Sequence, residues 1–449
     1  MLRRLTTRIV GLSLAAVLAA GVSGCVGPGA TISLPVADLA GPRLLVISPH
    51  PDDETVGAGG AIATARERGW DVTVVFVTSG DGFWQAVRTP GGPMPSAAQM
   101  QAYGASRIAE ARRATVALGV PASNVIFLGF PDGSTHFMWG TNYSGPPVEG
   151  VNGARKVPYA FAFKPGAPYT GAELESELAQ IVKRVRPTTV LMPDAADTHR
   201  DHWAANAFTQ AALVRSGYSG LELTYLVHRT GFPAQRGLQL GLPIGPPTAL
   251  LRDGTKWLSL PIGDAALKAQ QTALGTYRSQ LHSDGGLVRA FVRSNEMLGM
   301  GPSSFIGTGT VTLREGTHDP LYRGGRPRST LDAIALSRTE TSATVALDLA
   351  APVDRSVRYV IHLRAYGPGL QMRFYDGTIA GGKLTASRDA TASVRGAGQL
   401  VGFSGDVVRV KLPAELIDGA RWLFLGADTY SGKLTADHGA WRMVRVLPH

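Results

Sequence analysis

The sequence has 449 residues, of which 17% are charged and 44% hydrophobic, and its formal net charge is +10. This length allows two or more domains, each with its own core. The basic residues are scattered, and no arginine-rich tract with interleaved aromatic residues occurs, so nucleic-acid binding is not expected. The single cysteine excludes an intrachain disulfide and argues against a cysteine metal site.

The first 25 residues have the pattern of an export signal. Three arginines precede a short apolar stretch, Ile9 to Gly21, and Val22-Ser23-Gly24-Cys25 then resembles a bacterial lipobox. We therefore expect residues 1–25 to be a lipoprotein signal peptide, with lipidated Cys25 holding an exported protein to the membrane on the extracytoplasmic side of the cell envelope. The alternative is an ordinary cleaved signal peptide. Residues 26–40 are small and dotted with Pro and Gly, which is typical of a tether.

Strand-like and helix-like segments alternate from residue 41 to about residue 325. The predicted strands are 43–48, 71–78, 124–128, 188–192, 221–227 and 256–261. The predicted helices are 57–69, 106–118, 202–213 and 264–281, with a further helix that ends at Pro187. This alternation predicts an α/β domain with a Rossmann-like, mostly parallel sheet and helices on both faces.

The sequence also suggests an environment for two further segments of this domain. In the helix 106–118, Arg107, Glu110 and Arg112 are expected to form a solvated face. Residues 131–170 form a long irregular segment with many aromatic side chains, which argues against disorder. This segment is either a wall of a binding site, since ligands can stack on aromatic faces, or a surface insertion that packs on itself.

The pattern changes after about residue 325. Short alternating runs occur at 344–349, 358–363, 406–412, 422–425 and 441–447, and Gly, Pro and Asp separate them. Such runs predict an all-β sandwich over residues 326–449. No catalytic cluster is evident in this part of the sequence. A carbohydrate-binding role, a spacer and a cover for the catalytic sheet remain open for it.

A histidine and several carboxylates follow the first predicted strand. His50 and Asp53 are three residues apart, so both side chains can point at one ion from a tight turn or a first helical turn. An imidazole and a carboxylate suit zinc better than calcium or magnesium, which prefer oxygen ligands. A third ligand must come from elsewhere, and the best candidate is the run from Asp197 to His202 after another predicted strand. If both strands lie in one parallel sheet, their ends face the same crevice.

The two motifs together resemble the PIG-L/LmbE-like family of zinc-dependent N-acetylglucosaminyl deacetylases. Residues 49–54 match its Pro-His-Pro-Asp-Asp-Glu signature, and His199, Asp201 and His202 match its His-x-Asp-His motif. Weaker similarities occur at 78–82 and 128–133 and at Ser279-Gln280, and the resemblance covers roughly residues 40–285.

The resemblance implies a zinc-dependent hydrolysis of the N-acetyl group of an amino sugar or glycoconjugate by metal-activated water. It implies His50, Asp53 and His202 as ligands of Zn²⁺, with Fe²⁺ or cobalt as other metals that such a set accepts. Asp52 would be the general base, and a protonated His199 would stabilise charge and assist proton transfer. Asp201 could orient His199. Two alternatives remain open: a non-catalytic, metal-containing carbohydrate-binding lipoprotein, and a deacylase that removes a longer acyl chain.

Overall fold

The computed structural model describes residues 36–301, 304–316, 329–367, 371–387 and 398–447. All of them belong to one compact unit, residues 34–449. The predicted signal peptide with its lipobox Cys25, and residues 26–35 of the predicted tether, lie outside the described residues. Among the described helices, none combines the length and the apolar character that a bilayer span requires.

The first sheet contains seven strands. They are β1 (Arg43–Ser48), β2 (Asp71–Thr78), β3 (Val125–Phe130), β4 (Thr189–Pro193), β5 (Leu221–Tyr225), β6 (Lys256–Pro261) and β7 (Asn295–Met300). Their order is β3-β2-β1-β4-β5-β7-β6. The first five strands run parallel, and β7 is antiparallel to both of its neighbours. The predicted Rossmann-like, mostly parallel sheet is therefore confirmed.

Helices cover both faces of this sheet. They are α1 (Asp53–Glu67), α2 (Trp84–Val87), α3 (Ala97–Ala117), α4 (Thr135–Met138), α5 (Gly171–Val185), α6 (Arg200–Ser216), α7 (Asp264–Leu274) and α8 (Arg278–Val288). Alternate residues of β1 point to opposite layers. Leu44 and Val46 pack with α1, α3 and α7, whereas Leu45 and Ile47 pack with α5 and α6. The helix predicted over 264–281 is two helices, because the chain turns between Leu274 and Arg278.

Helix α1 lies unusually close to the sheet, and small residues make this possible. A Cβ atom at Gly57 would be 2.1 Å from a ring carbon of Tyr225 in β5. The Tyr225 hydroxyl in turn donates a hydrogen bond of 2.7 Å to the carbonyl oxygen of Ile47 in β1. The start of α1, where the carboxylates of the first motif lie, is thereby held directly above the ends of β1 and β5.

The C-terminal strands form two further sheets. Their strands are β8 (Ser304–Ile306), β9 (Gly309–Arg314), β10 (Leu331–Arg338), β11 (Ala343–Leu349), β12 (Arg358–Tyr366), β13 (Arg373–Ala380), β14 (Lys383–Ser387), β15 (Gln399–Ser404), β16 (Val407–Leu412), β17 (Trp422–Ser431) and β18 (Leu434–Val446), with the short helix α9 (Ala414–Ile417) before β17. The orders are β15-β16-β11-β10-β9 and β14-β13-β12-β17-β18-β8. Apart from the parallel pair of β8 and β18, neighbouring strands are antiparallel. The inner faces share one apolar core, which confirms the predicted all-β C-terminal architecture.

The strand pairing differs from the predicted boundary between residues 325 and 326. Strand β8 pairs with β18 and β9 pairs with β10, so residues 304–314 belong to the C-terminal sheets. The sequence analysis assigned these residues to the α/β part, because residues 304–314 carry no change of composition that marks them. The division into separate domains stays a prediction.

The outer face of the six-stranded sheet is buried against the α/β part. Phe424 of β17 is 1% exposed, and its ring centroid lies 5.5 Å from that of Trp139. Trp441 of β18 contacts the same tryptophan at 5.7 Å. These rings share a core with Phe208 of α6. This aromatic contact fixes the sandwich next to the helix that carries the second motif.

Replacement of Phe424 by Ala should therefore destabilise the whole unit. Loss of a buried phenylalanine leaves a cavity and costs about 3–5 kcal/mol. We expect a single urea transition that shifts as a whole when it is followed both by tryptophan fluorescence and by far-UV circular dichroism. The control is Leu434→Ala in β18, at a side chain that is 64% exposed, which should change the free energy of unfolding by less than about 0.5 kcal/mol. Separate transitions for the two probes would contradict this coupling.

Candidate metal centre

Both sequence motifs lie at one edge of the parallel sheet. Strand β1 ends at Ser48, and α1 begins at Asp53 directly after the first motif. Strand β4 pairs in parallel with β1, and the loop that follows it leads to His199, which caps α6. The carboxyl ends of neighbouring parallel strands meet at the same edge, so the two motifs face one crevice.

The structure brings His50, Asp53 and His202 together. The Oδ2 atom of Asp53 lies 3.0 Å from Nδ1 of His50 and 3.1 Å from Nε2 of His202. All three side chains are buried, and His202 is fully inaccessible. Burial opposes ionisation of Asp53, but His202 and His50 outweigh it and hold the pKa of this carboxyl well below its usual value.

The opposite nitrogen of each of these histidines lies against a buried carboxylate. Nε2 of His50 is 3.2 Å from Asp132 and 3.2 Å from Asp201. Nδ1 of His202 is 3.0 Å from Asp197, which also accepts hydrogen bonds from the backbone amides of residues 199, 227 and 228. Carboxylates in this position fix the ring orientation of metal-binding histidines in proteins.

The donor atoms fit a zinc-sized cation. Zinc ligands lie about 2.0–2.1 Å from the metal, so tetrahedral neighbours are roughly 3.3 Å apart. The separations of 3.0 and 3.1 Å at Asp53 are close to this value. In addition, both ring nitrogens of His202 are buried and make no hydrogen bond, and Nε2 is the one that faces Asp53. A buried ring nitrogen of this kind is available as a metal ligand.

Three other groups of donor atoms overlap with this set. One ring nitrogen from each of His50, His199 and His202 lies within 4.8 Å of the others. Asp197, His202 and His228 meet the same criterion, and so do His50, Asp132 and Asp201. The second group would use Nδ1 of His202, the atom that contacts Asp197. In this group the Asp197 carboxylate already accepts hydrogen bonds from the backbone amides of residues 199, 227 and 228, so its oxygens are less available to a metal.

Asp52, the expected base, occupies a constrained position between the motif and α3. It has a positive φ of 133°, which is uncommon for a residue with a side chain. Its Oδ1 accepts a hydrogen bond of 3.1 Å from Arg107. Burial raises the pKa of Asp52 to about 7, although the charge of Arg107 opposes this shift. Arg107 and Glu110 are buried, so the predicted solvated face is wrong for both, while Arg112 is exposed.

His199 is the half-buried histidine at the start of α6. Its Nδ1 accepts a hydrogen bond of 3.3 Å from the backbone amide of Asp201. The His199 ring lies edge-on to the His50 ring, with 4.8 Å between centroids. Burial, together with the charges of His50, His228 and His202, holds the pKa of His199 well below its usual value. These surroundings favour the neutral form of the ring, and the protonated His199 that the resemblance implied stays a prediction.

Asp201 has a different partner from the one expected. Its carboxylate contacts Nε2 of His50 rather than the His199 ring. It also accepts hydrogen bonds from the backbone amides of Gly133 and Thr135, at 2.6 and 3.1 Å, and from the Thr135 hydroxyl. Its position in the first turn of α6 directs the carboxylate across the sheet edge toward the loop after β3.

Several contacting residues were not assigned by sequence reasoning. Asp132 was weighed only as a residue of the site wall or of a turn, and Asp197 only as part of the histidine run. His228 follows β5, and its ring centroid is 4.4 Å from that of His202. The available signal for all three was a polar residue shortly after a parallel strand.

The aromatic segment 131–170 is mostly buried against the rest of the protein. Trp139 and Tyr143 pack against α6 and the C-terminal sheets. Tyr159 and Tyr169 are also buried, and their hydroxyls bind Asp81 and Asn152. Phe137 and Phe161 are the large aromatic side chains of this segment that are substantially exposed, at 48% and 36%. Most of these side chains therefore belong to the core, and neither the substrate wall nor the self-packed insertion describes them.

These features define an α/β protein with a histidine–carboxylate cluster, a candidate metal centre, at the edge of a parallel sheet. Residues 45–213 match the sequence model of the PIG-L family, described as GlcNAc-PI de-N-acetylase. This match confirms the resemblance that the two motifs indicated.

Similar curated proteins include two named as 1D-myo-inositol 2-acetamido-2-deoxy-alpha-D-glucopyranoside deacetylases. The protein from Tsukamurella paurometabola is 35% identical over 181 residues, which are 40% of this chain and 57% of that protein. The one from Saccharopolyspora erythraea is 29% identical over 274 residues, 57% of this chain and 85% of that protein. The chain therefore spans little more than half of the Tsukamurella relative. Among solved structures, the A40926 pseudoaglycone deacetylase Dbv21 is 19% identical with a TM-score of 0.38, over 57% of this chain and 96% of that one.

We predict that Asp197, which orients His202, strengthens the binding of the metal. In Asp197→Asn, the amide can still accept one backbone hydrogen bond, but the charge that faces Nδ1 of His202 is lost. We expect zinc affinity to fall about 10- to 100-fold, measured by competition with a chromogenic chelator. The control is Asp194→Asn, because Asp194 is buried in the same loop and binds Thr224 and the amide of Ala196 instead of a histidine. Equal affinity of the Asp197 variant and the wild type would contradict this role.

Proposed function

We propose that this protein hydrolyses the N-acetyl group of an amino sugar or glycoconjugate at a divalent metal held by His50, Asp53 and His202. The convergence of these three side chains from two distant motifs around one carboxylate oxygen is the observation that carries the proposal. The family match over residues 45–213 and the names of the relatives support an acetamido sugar as the substrate. The donor set suits zinc and would also accept iron(II) or cobalt.

Zinc bound to these ligands would polarise the amide carbonyl and lower the pKa of a water molecule. Asp52 is adjacent to the ligand Asp53 but has a different orientation, because its carboxylate is held by Arg107. Asp52 can therefore accept a proton from the attacking water without being a ligand itself. The water oxygen then bonds to the amide carbon, the carbon–nitrogen bond breaks, and acetate and the free amine are the products.

We assign to His199 the transfer of a proton to the leaving nitrogen. The departing amine needs a proton, which Asp52 has just taken from water, and a second imidazole at the site can assist its transfer. The half-buried His199 ring beside His50 supports this role, and its Nδ1 is already engaged with the start of α6, which leaves Nε2 for the substrate. Asp132 and Asp201 would hold His50 in place during the reaction.

Replacement of Asp52 by Asn tests the general base. Asparagine has the same shape and tolerates a positive φ better than most residues, so the fold should be retained. We expect acetate release from N-acetylated sugars to fall about 10²- to 10⁴-fold, with zinc content unchanged. A matched control is Glu296→Gln, which alters another buried carboxylate against α1, one that binds the amides of Gly60 and Ala61. Undiminished turnover by the Asp52 variant would exclude its role as the base.

We also propose that the protein is exported and anchored through a lipid on Cys25. The lipobox-like sequence before this single cysteine supports the proposal. In a bacterial host supplied with radiolabelled palmitate, the wild type should carry label and fractionate with membranes. Cys25→Ser should carry no label and appear in the soluble fraction. Label on the Cys25→Ser variant, or an unlabelled wild type, would contradict lipidation at this residue.

A further inference from the structure

A narrow polar cleft lies between the loop of the second motif and the C-terminal sheets. It is lined by Asp197, Thr198, Arg229, Glu315, Asp437 and His438, together with small residues. Its cavity volume is about 30 Å³, which is room for one water molecule or one hydroxyl group. One wall therefore contains Asp197, the carboxylate behind His202, and the opposite wall comes from the C-terminal sheets.

Glu315 has an unsatisfied oxygen in this cleft. The residue is 8% exposed, and its Oε2 accepts a hydrogen bond of 3.0 Å from the backbone amide of Ala440. Its Oε1 is buried and makes no hydrogen bond, and Nε of Arg442 is 4.0 Å away. A buried acceptor without a partner is costly, so this oxygen is suited to a donor supplied by a ligand.

His438 presents a second acceptor from the same wall. Its Nδ1 lies 2.7 Å from Asp428, and its Nε2 is buried and makes no hydrogen bond. When Nδ1–H donates to Asp428, the lone pair of Nε2 can accept a hydrogen bond. The ring is stacked on Trp203, the residue after His202, with 4.7 Å between centroids. The orientation of His438 is thus fixed from two sides, next to the metal centre.

We propose that this cleft is a subsite for a neutral sugar residue linked to the acetamido sugar, and that it takes one hydroxyl or hydroxymethyl group of that residue. The proposal rests on the proposed deacetylase function and adds a substrate class to it. A hydroxyl group supplies the donor that Glu315 and His438 lack. The carboxylates of Glu315, Asp437 and Asp197 disfavour an anionic group, and the small volume excludes a whole ring.

This subsite gives the C-terminal sheets a part in substrate selection. Glu315 directly follows β9, and Asp437 and His438 lie in β18, so all three come from outside the region that matches the family. The wall is held in place by the aromatic contact of Phe424 and Trp441 with Trp139. We therefore expect the second residue of a disaccharide to contact this wall and a single acetamido sugar to leave it empty.

The test compares Glu315→Gln with the wild type on N-acetylglucosamine and on N,N′-diacetylchitobiose, a neutral disaccharide. Glutamine keeps the shape but weakens the acceptor. We expect kcat/KM for the disaccharide to fall about tenfold, mainly through KM, because one hydrogen bond to a charged group is lost. Turnover of the monosaccharide and zinc content should remain within about twofold of the wild type.

Asp348→Asn is the control. Asp348 is a partly buried carboxylate in β11 of the C-terminal sheets, and it does not line the cleft. An equal rise in KM in both variants would show a structural effect and would overturn the subsite. An equal effect of Glu315→Gln on both sugars would also overturn it. A Glu315→Gln variant that loses a bound divalent cation but keeps its affinity for the disaccharide would overturn it as well.

Binding measurements distinguish a wrong subsite from a wrong deacetylase function. In the Asp52→Asn background, calorimetry with the same two sugars should show tighter binding of the disaccharide, and Glu315→Gln should remove this preference. If the wild type releases no acetate but the preference is present, the subsite stands and the proposed reaction is wrong. If neither sugar is preferred, the subsite is wrong whether or not acetate is released.

Discussion

Strands β1 and β4 are parallel neighbours, so the loops that follow them leave the sheet at one edge. This constraint places Asp53 3.0 Å from His50 and 3.1 Å from His202, which lies about 150 positions further along the chain. Five buried carboxylates meet there: Asp52, Asp53, Asp132, Asp197 and Asp201. Arg107 is paired with one of them, and imidazole rings face the others. Burying so much negative charge is unfavourable unless cations compensate for it, which is the physical reason to expect a metal ion at this edge.

The C-terminal sheets pack next to this edge of the parallel sheet. Their outer face packs Phe424 and Trp441 against the α/β part, and His438 stacks on Trp203 in the helix that begins with the second motif. A sheet face that carries both apolar rings and buried ionisable groups is not typical of a spacer. His362, between Asp376 and Asp428, and Arg364 stabilise this polar part of the face by mutual pairing. The sandwich is therefore placed to shape the approach to the metal centre as well as to stabilise the fold.

Local patterns predicted the strands well, because each buried parallel strand is a short apolar run with a turn at its end. The bounds of β1, β2 and β6 agree with the sequence analysis residue by residue. Tertiary partners were not predictable in this way. Arg107 has the spacing of a solvated helical charge, yet its carboxylate partner lies 55 positions away at Asp52. The partner of Asp201 is His50 across the sheet edge, and the antiparallel β7 and the early β8 and β9 depend on long-range pairing that periodicity does not encode.

The most direct measurement is anomalous diffraction at the zinc absorption edge from crystals of the zinc-loaded protein. The account predicts one strong peak per chain, bounded by Nδ1 of His50, Oδ2 of Asp53 and Nε2 of His202, at roughly 2.0–2.2 Å from each atom. A peak on the other side of the His202 ring, between Asp197, Nδ1 of His202 and His228, would contradict the proposed ligand set. It would also remove the reason for assigning Asp52 as the base.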